Sequence, residues 1–280
     1  MASIFMRFPG GRARALTLSY DDGVEQDIRL IEIMRAHGLR GAFNLNSGLF
    51  APEGTVYAQG TIHRRMSRAQ LEHLYVENGM EVAVHGLTHP FLEQLPAGAL
   101  MREIAQDREN LERVFGGIVR GMAYPFGTWN DRVVEALRAA DIAYARTVVS
   151  TRGFGIPQNW LLLDPTCHHA DPELMPLARK FLEARDDRGP LLFYLWGHSY
   201  EFEAADNWNV IEEFAACVGG RADVWYATNI EIYDYVQAFG RLESSADGRR
   251  FRNPTALPLC LATSEGQTLT LRPGEMRALD

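Results

Sequence analysis

The chain reads as an α/β protein built on a mainly parallel sheet. Three observations carry that reading: β-like and helical patterns alternate from Arg12 to Gly240, glycines and N-capping residues punctuate the joins, and polar side chains collect where the β-like runs end. Such alternation builds either an open, doubly wound sheet or a closed (β/α) barrel.

The first strand, Arg12 to Tyr20, has partial alternation with β-branched and aromatic content, and it ends at Asp21. From Val24 a helical pattern puts Ile28, Ile31, Met34 and Ala36 on or near one face and stops at Gly38. Gly41 to Asn46 is a short second strand. Ser67 stands as the N-cap of a helix carrying Leu71, Leu74 and Tyr75, with Gly79 beyond its end and a third strand, Met80 to Val84, after it. A long helix from Ala97 to Phe115 repeats Leu100, Ile104, Leu111 and Phe115; a strand near Val119 to Tyr124 follows, then a helix capped by Asn130 and carrying Val133, Val134 and Leu137. Further strands are expected near Ile142 to Val149, Trp160 to Leu163, Leu191 to Trp196 and Val224 to Ala227. Helices are expected near Pro172 to Ala184, Asn209 to Val218 and Ile230 to Gly240. From Leu242 onward turn signals separate short β-like runs, so residues 1–241 are read as the barrel unit and 242–280 as a small C-terminal β appendage.

The bulk numbers narrow the function. A hydrophobic content of 46% and a charged content of 23% are ordinary for a soluble globular protein. A net charge of -8, with no Lys/Arg run, argues against a nucleic-acid or anionic-membrane partner. The stretch before Arg12 lacks an apolar core of secretory length, and no run approaches the roughly 18 apolar residues of a spanning helix, so a cytoplasmic location is expected. Cys167, Cys217 and Cys260 lack CxxC spacing, and reduced thiols are the expectation. No glycine-rich phosphate loop follows the first strand, which removes the usual nucleotide reading.

The expected strand ends carry Asp21 and Asp22, Asn44 and Asn46, His85 and His89, Tyr124 and Pro125, then Asp164, His168 and His169, and His198. In a parallel barrel these ends converge on the face that holds active sites, and five of the eight histidines fall there. His85 and His89, four residues apart, can bring two imidazoles to one ion, and a carboxylate completes a His₂Asp set that leaves positions open for water and substrate. Taken singly, an HxxxH pair is more often a pair of surface or core histidines, and adjacent aspartates more often a solvated loop. Their joint position at strand ends singles them out.

Four segments, in order, carry a resemblance: Ser19-Tyr20-Asp21-Asp22-Gly23, His85-Gly86-Leu87-Thr88-His89, Ala123-Tyr124-Pro125-Phe126-Gly127 and Leu195-Trp196-Gly197-His198. Together, over roughly Ala15 to Tyr235, they resemble the motifs of the polysaccharide deacetylase family, the NodB-homology carbohydrate esterases. The resemblance implies a distorted or incomplete (β/α) barrel and metal-dependent removal of an N-acetyl or O-acetyl group, hydrolysing a carbon–nitrogen bond other than a peptide bond in the N-acetyl case. It implies Asp22, His85 and His89 as metal ligands, Asp21 as general base, the Phe126 N–H as oxyanion donor and His198 as general acid. Zinc is the expected ion, with cobalt, nickel or manganese as alternatives.

Two positions depart from the pattern. Ala123 stands where the family carries an arginine that neutralises and orients the base, leaving Arg120, Arg146 or Arg152 to supply the charge. An aspartate–tryptophan motif that tunes the last histidine is reduced to Asn159 and Trp160, leaving Asp164, His168 and His169 to take over part of that role; Cys167, His168 and His169 read equally as a competing metal cluster or as a buried thiol beside a solvated histidine. Trp160 joins Tyr124, Pro125, Phe126, His168 and His169 as a substrate or oxyanion contact, although tryptophan near a strand end is more often core than platform. The expected substrate is a small or soluble acetylated sugar. A small non-sugar amide, or simple carbohydrate binding with weak activity, are the alternatives. No oligomeric state follows from the sequence.

Overall fold

The structure, a computed structural model, describes residues 4–185 and 189–278. Its centre is an eight-stranded parallel sheet curled into an incomplete barrel. The strands are β2 (Arg14–Asp21), β3 (Gly41–Leu45), β4 (Glu81–Val84), β5 (Gly121–Ala123), β6 (Tyr144–Arg146), β7 (Cys167–His168), β8 (Leu191–Gly197) and β9 (Val224–Tyr226), in the order β6-β5-β4-β3-β2-β8-β7 with β9 also on β2. β2 is the spine: Arg14–Tyr20 pair with β8, while Leu18–Asp21 pair with β3 and Arg14–Leu16 with β9. One edge of a strand is thus divided between two neighbours, which leaves the barrel distorted.

The helices on the sheet are α1 (Gln26–Ala36), α2 (Arg68–Leu71), α3 (Ala97–Phe115), α4 (Asp131–Ala139), α5 (Leu174–Glu183), α6 (Tyr200–Ala204), α7 (Asn209–Val218) and α8 (Asn229–Gly240). In α3 the buried residues Leu100, Ile104 and Leu111 follow the expected spacing, with Asp107 on the same stripe; in α1 the buried face is turned to Asp27, Leu30, Ile31 and Met34, which leaves Ile28 and Ala36 exposed. Asn130 caps α4 by accepting the Val133 N–H at 3.0 Å, and Thr228 with Glu231 forms a capping box on α8. The helix expected after Ser67 is a single turn. Its capping box with Gln70 is present, but the chain then bends so that Tyr75 is buried and its hydroxyl donates to Asp27 at 2.7 Å. Among the described residues no helix is long and apolar enough to cross a membrane.

The strand expected at Trp160–Leu163 does not form. Asn159 accepts the Leu161 N–H at 3.1 Å and starts a 3₁₀ turn over Trp160–Leu162, and Leu163 makes an isolated parallel bridge to Arg146. Thr166 then bonds to Tyr194, so this irregular segment spans the gap between β6 and β8.

Beyond the barrel, β10 (Glu243–Ser244), β11 (Arg250–Arg252) and β14 (Met276–Ala278) form one antiparallel sheet. β12 (Leu259–Thr263) and β13 (Thr268–Leu271) form another, completed by β1 (Ile4–Arg7) from the start of the chain. Tyr235 on α8 locks these pieces to the barrel, its hydroxyl donating to the Arg7 carbonyl at 2.7 Å and accepting the Cys260 N–H at 2.8 Å. The C-terminal β appendage therefore shares its sheet with residues 4–7.

Candidate active site

β2 ends on Asp21, and Asp22 already has left the strand, with φ at 85° ahead of Gly23 at 66°. A positive φ at an aspartate is uncommon and marks a backbone held for a purpose. The turn sends the two carboxylates to different partners. Asp21 is buried: one oxygen accepts from Asn44 Nδ2 at 2.8 Å, the other sits 2.5 Å from Arg146 Nη2, with His85 Nε2 at 3.6 Å and His198 Nε2 at 3.7 Å. Burial alone would raise its pKa, but Arg146, His85 and His198 outweigh it and hold the carboxyl below its ordinary value. Asp22 meets Arg65 Nη2 at 3.0 Å and His63 Nε2 at 3.1 Å. Against the burial penalty, the His63 hydrogen bond, His85 and Arg65 hold it far below the ordinary carboxylate range.

His85 follows β4. Its Nδ1 lies 2.8 Å from the Ala123 carbonyl, which can only accept, so that nitrogen carries the proton and Nε2 presents a lone pair. Burial lowers its pKa in spite of the two aspartates. His89 Nε2 is 3.2 Å from His85 Nε2, and burial followed by His85 lowers His89 to about 4. One ligand atom from each of Asp22, His85 and His89 lies within 4.8 Å of the others. Two neutral imidazoles turned toward each other beside a carboxylate make the donor set a divalent ion takes, so these residues fit a metal. The loop between the histidines is fixed from behind: Asn46 Nδ2 donates to the carbonyls of His85 at 2.5 Å and Gly86 at 2.7 Å, and Asp107 accepts the N–H groups of Ser47 at 2.7 Å and His85 at 3.1 Å.

Both departures seen in the sequence find their counterpart here. Ala123 pairs across the parallel ladder with Arg146, so the cation reaches Asp21 from the next strand at the same level. Arg146 is fully buried, its guanidinium 4.3 Å above the Trp196 ring. Arg120 pairs with Asp234, and Arg152 with Asp171. The carboxylate for His198 is Glu201, one helical turn on, with Oε1 at 3.1 Å from Nδ1. Burial would lower the His198 pKa, but Glu201 and Asp21 raise it.

His168 and His169 stand behind His198, with Nε2 atoms 3.2 and 2.9 Å from Glu201 Oε2. His168, His198 and Glu201 also bring ligand atoms within 4.8 Å of one another. But His168 Nδ1 accepts the Ala170 N–H at 3.1 Å, which puts its proton on Nε2, aimed at Glu201. The histidines gather around one carboxylate at ion-pair distance, with His169 Nδ1 and Glu201 Oε2 buried and without a hydrogen-bond partner. Cys167 is buried in the main core, its thiol pushed up to about 12 by burial, and His169 is buried rather than solvated.

A cavity of about 420 Å³ opens over Asp21 and Asp22 and is walled by Tyr124, Phe126, Trp196 and Tyr200. Tyr124 donates its hydroxyl to the Leu161 carbonyl at 2.7 Å, while Pro125 lies buried beneath Phe126, whose φ is 58°. Trp160 is not part of this wall: the 3₁₀ turn packs it edge-on against Tyr233 at 5.3 Å, lining a separate cavity. Asp164 is also elsewhere, against Thr147. Glu201, His63, Arg65 and Asp107 were not singled out by sequence. Only Glu201, at helical spacing from His198, and Asp107, a charge on the α3 apolar stripe, left a pattern to read.

Residues 9–145 match the family described as polysaccharide deacetylase. No curated protein sequence matches the chain. A solved structure of a candidate polysaccharide deacetylase from Mycobacterium smegmatis aligns with a TM-score of 0.59 at 17% identity, covering 86% of this chain and 96% of that one. A family 4 carbohydrate esterase from Streptomyces lividans in complex with acetate aligns at 0.48 and 17%, covering 75% and 90%. The Streptococcus pyogenes deacetylase PplD in complex with acetate aligns at 0.45 and 18%, covering 52% of this chain and 61% of that one, so the chain spans about three fifths of it. The first of these likenesses shows a shared fold. The ordered motifs, the curled parallel sheet and the match over residues 9–145 together liken this chain to the polysaccharide deacetylase family.

Proposed function

We propose that the chain is a metal-dependent hydrolase that removes an acetyl group from an acetylated amine or alcohol, with an acetylated sugar as the substrate class the family suggests. The observation that carries this is the convergence of Asp22, His85 and His89 within 4.8 Å beside a separate buried carboxylate, Asp21. Zinc suits a set of two imidazoles and a carboxylate; cobalt, nickel and manganese are the ions to test against it. When bound, the ion supplies Lewis acidity to the acyl oxygen and to the attacking water.

The protein groups divide the remaining work. Asp21, kept anionic by Arg146, accepts the proton of the attacking water; Asn44 holds its other oxygen, so the base keeps one orientation. The backbone N–H of Phe126 is the oxyanion donor that the motif resemblance implies. His198 donates from Nε2 to the departing nitrogen or oxygen, and Glu201 on Nδ1 fixes the ring's tautomer and favours the charged acid.

The test is metal analysis of Asp22→Ala, His85→Ala and His89→Ala together with acetate release from acetylated amino sugars. Each variant should lose the ion and the activity. If all three keep one equivalent, the ligand set is wrong; amine or ammonia release from small non-sugar amides, with no acetate release from the sugars, would instead favour an amidase.

A further inference from the structure

The rim of the cavity on the Phe126 side is apolar and open. Phe126 is 51% exposed and stacks face to face on Phe91, itself 42% exposed, with ring centroids 4.0 Å apart and planes at 14°. Val148, 36% exposed, fills the space where a side chain on Gly127 would sit, and Val149 beside it is 57% exposed. Phe126 and Val148 line the cavity, and Phe91 and Val149 extend the exposed apolar surface beside them, a grouping that marks a contact surface. Phe126 adds a second signal, because a bulky aromatic at φ 58°, ψ 3° is held in a region that favours glycine. Its ring is also 4.4 Å from that of His89, so the shelf begins at the catalytic cavity.

Away from the shelf the cavity is lined by Trp196 and by His198 and Tyr200, both able to hydrogen-bond, and Tyr200 meets His63 edge to face at 4.9 Å. A substrate in this cleft thus meets an apolar shelf on one side and hydrogen-bonding groups on the other.

From this we infer that Phe126 and Val148, with Phe91 stacked on Phe126 as its support, form a leaving-group subsite that takes the flat apolar face of a ring. The inference rests on the hydrolase reading only for calling the bound moiety the leaving group. Both a pyranose, through its C–H face, and an aromatic amine present that chemistry. Phe91 lies outside the cavity and acts through Phe126, as a specificity-determining support.

Calorimetric binding of glucosamine, benzylamine and ethanolamine to the zinc-loaded chain reads the shelf without turnover. Both ring-bearing amines should bind more tightly than ethanolamine, and Phe91→Ser should weaken them roughly tenfold while leaving ethanolamine unchanged. Preference for glucosamine alone, or benzylamine alone, identifies which ring the shelf takes. Val148→Thr, nearly isosteric, gives the same comparison should Phe91→Ser fail to fold. Equal affinities for the three amines in the unmodified chain, or a preference that survives both variants, overturn the proposal. So does a chain that dimerises through this face and becomes monomeric on loss of Phe91. A ring preference without any acetate release would leave the subsite standing and remove the deacetylase reading.

Discussion

A buried carboxylate stays anionic only beside a fixed cation, and for Asp21 that cation is Arg146. Arg146→Met should cost about 3 kcal/mol at neutral pH, since it leaves a buried charge unpaired. The sign of the pH dependence follows from the direction of the shift. A carboxyl held below its ordinary pKa contributes stability above that value and loses it as pH falls, so the gap between the two proteins should narrow in acid. Denaturant titrations across pH would check this, and a gap constant with pH would show that Arg146 acts by packing alone. Asp21→Asn should keep the ion and lose activity by roughly 10²-fold or more, because an amide accepts no proton. For His198 the shift runs upward, so Glu201→Gln should lower its pKa and move the alkaline limb of the kcat/KM profile to lower pH. The loss should be largest on substrates with poor leaving groups.

At the scale of elements, α3 does more than cover the sheet. Its Asp107 holds the loops after β3 and β4 by accepting the N–H groups of Ser47 and His85, and burial raises its pKa to about 7. A carboxyl raised on folding weakens stability as pH climbs from its unfolded value, about 3.9, to about 7, because only the unfolded chain ionises freely there. Asp107→Asn should lack that decline, so thermal melts from pH 5 to 8 should flatten relative to the unmodified chain. Elements of this kind were legible where periodicity was strong: α3, α4, β2 and β8 lie close to where their patterns place them. Trp160–Leu163 was not, because an asparagine side chain competed with the strand ladder for the Leu161 N–H. Arg146 and Ala123 became neighbours only through parallel register, which no local pattern records. The proposed ligands Asp22, His85 and His89 leave a visible pattern, because each lies just past a strand end and two share a short spacing. Glu201 went unread because its three-residue spacing from His198, though visible, is common wherever a helix begins.

For the whole molecule, the barrel and the C-terminal sheets are joined by β1 as well as by the chain. Removing residues beyond Leu242 would strip β12 from β1 and uncover Met6 and Phe8, both buried. The proposed ligands all lie outside that segment, so the truncated chain should still bind one ion where it folds. Its melting temperature should fall by several degrees. A truncated chain as stable as the full one would show that the sheet contributes nothing to the barrel.

The pairing of Ile4–Arg7 with Cys260–Thr263 also sets a timetable. At the usual pace of synthesis, about 5–20 residues per second, β1 is made roughly 10–50 s before the strand it pairs with. During that interval an apolar strand waits with an open edge, the kind of surface that recruits chaperones or neighbouring chains. Expression speed and temperature should therefore govern soluble yield more than the stability of the finished fold does, and a circular permutant that places β1 directly after β13 would remove the wait.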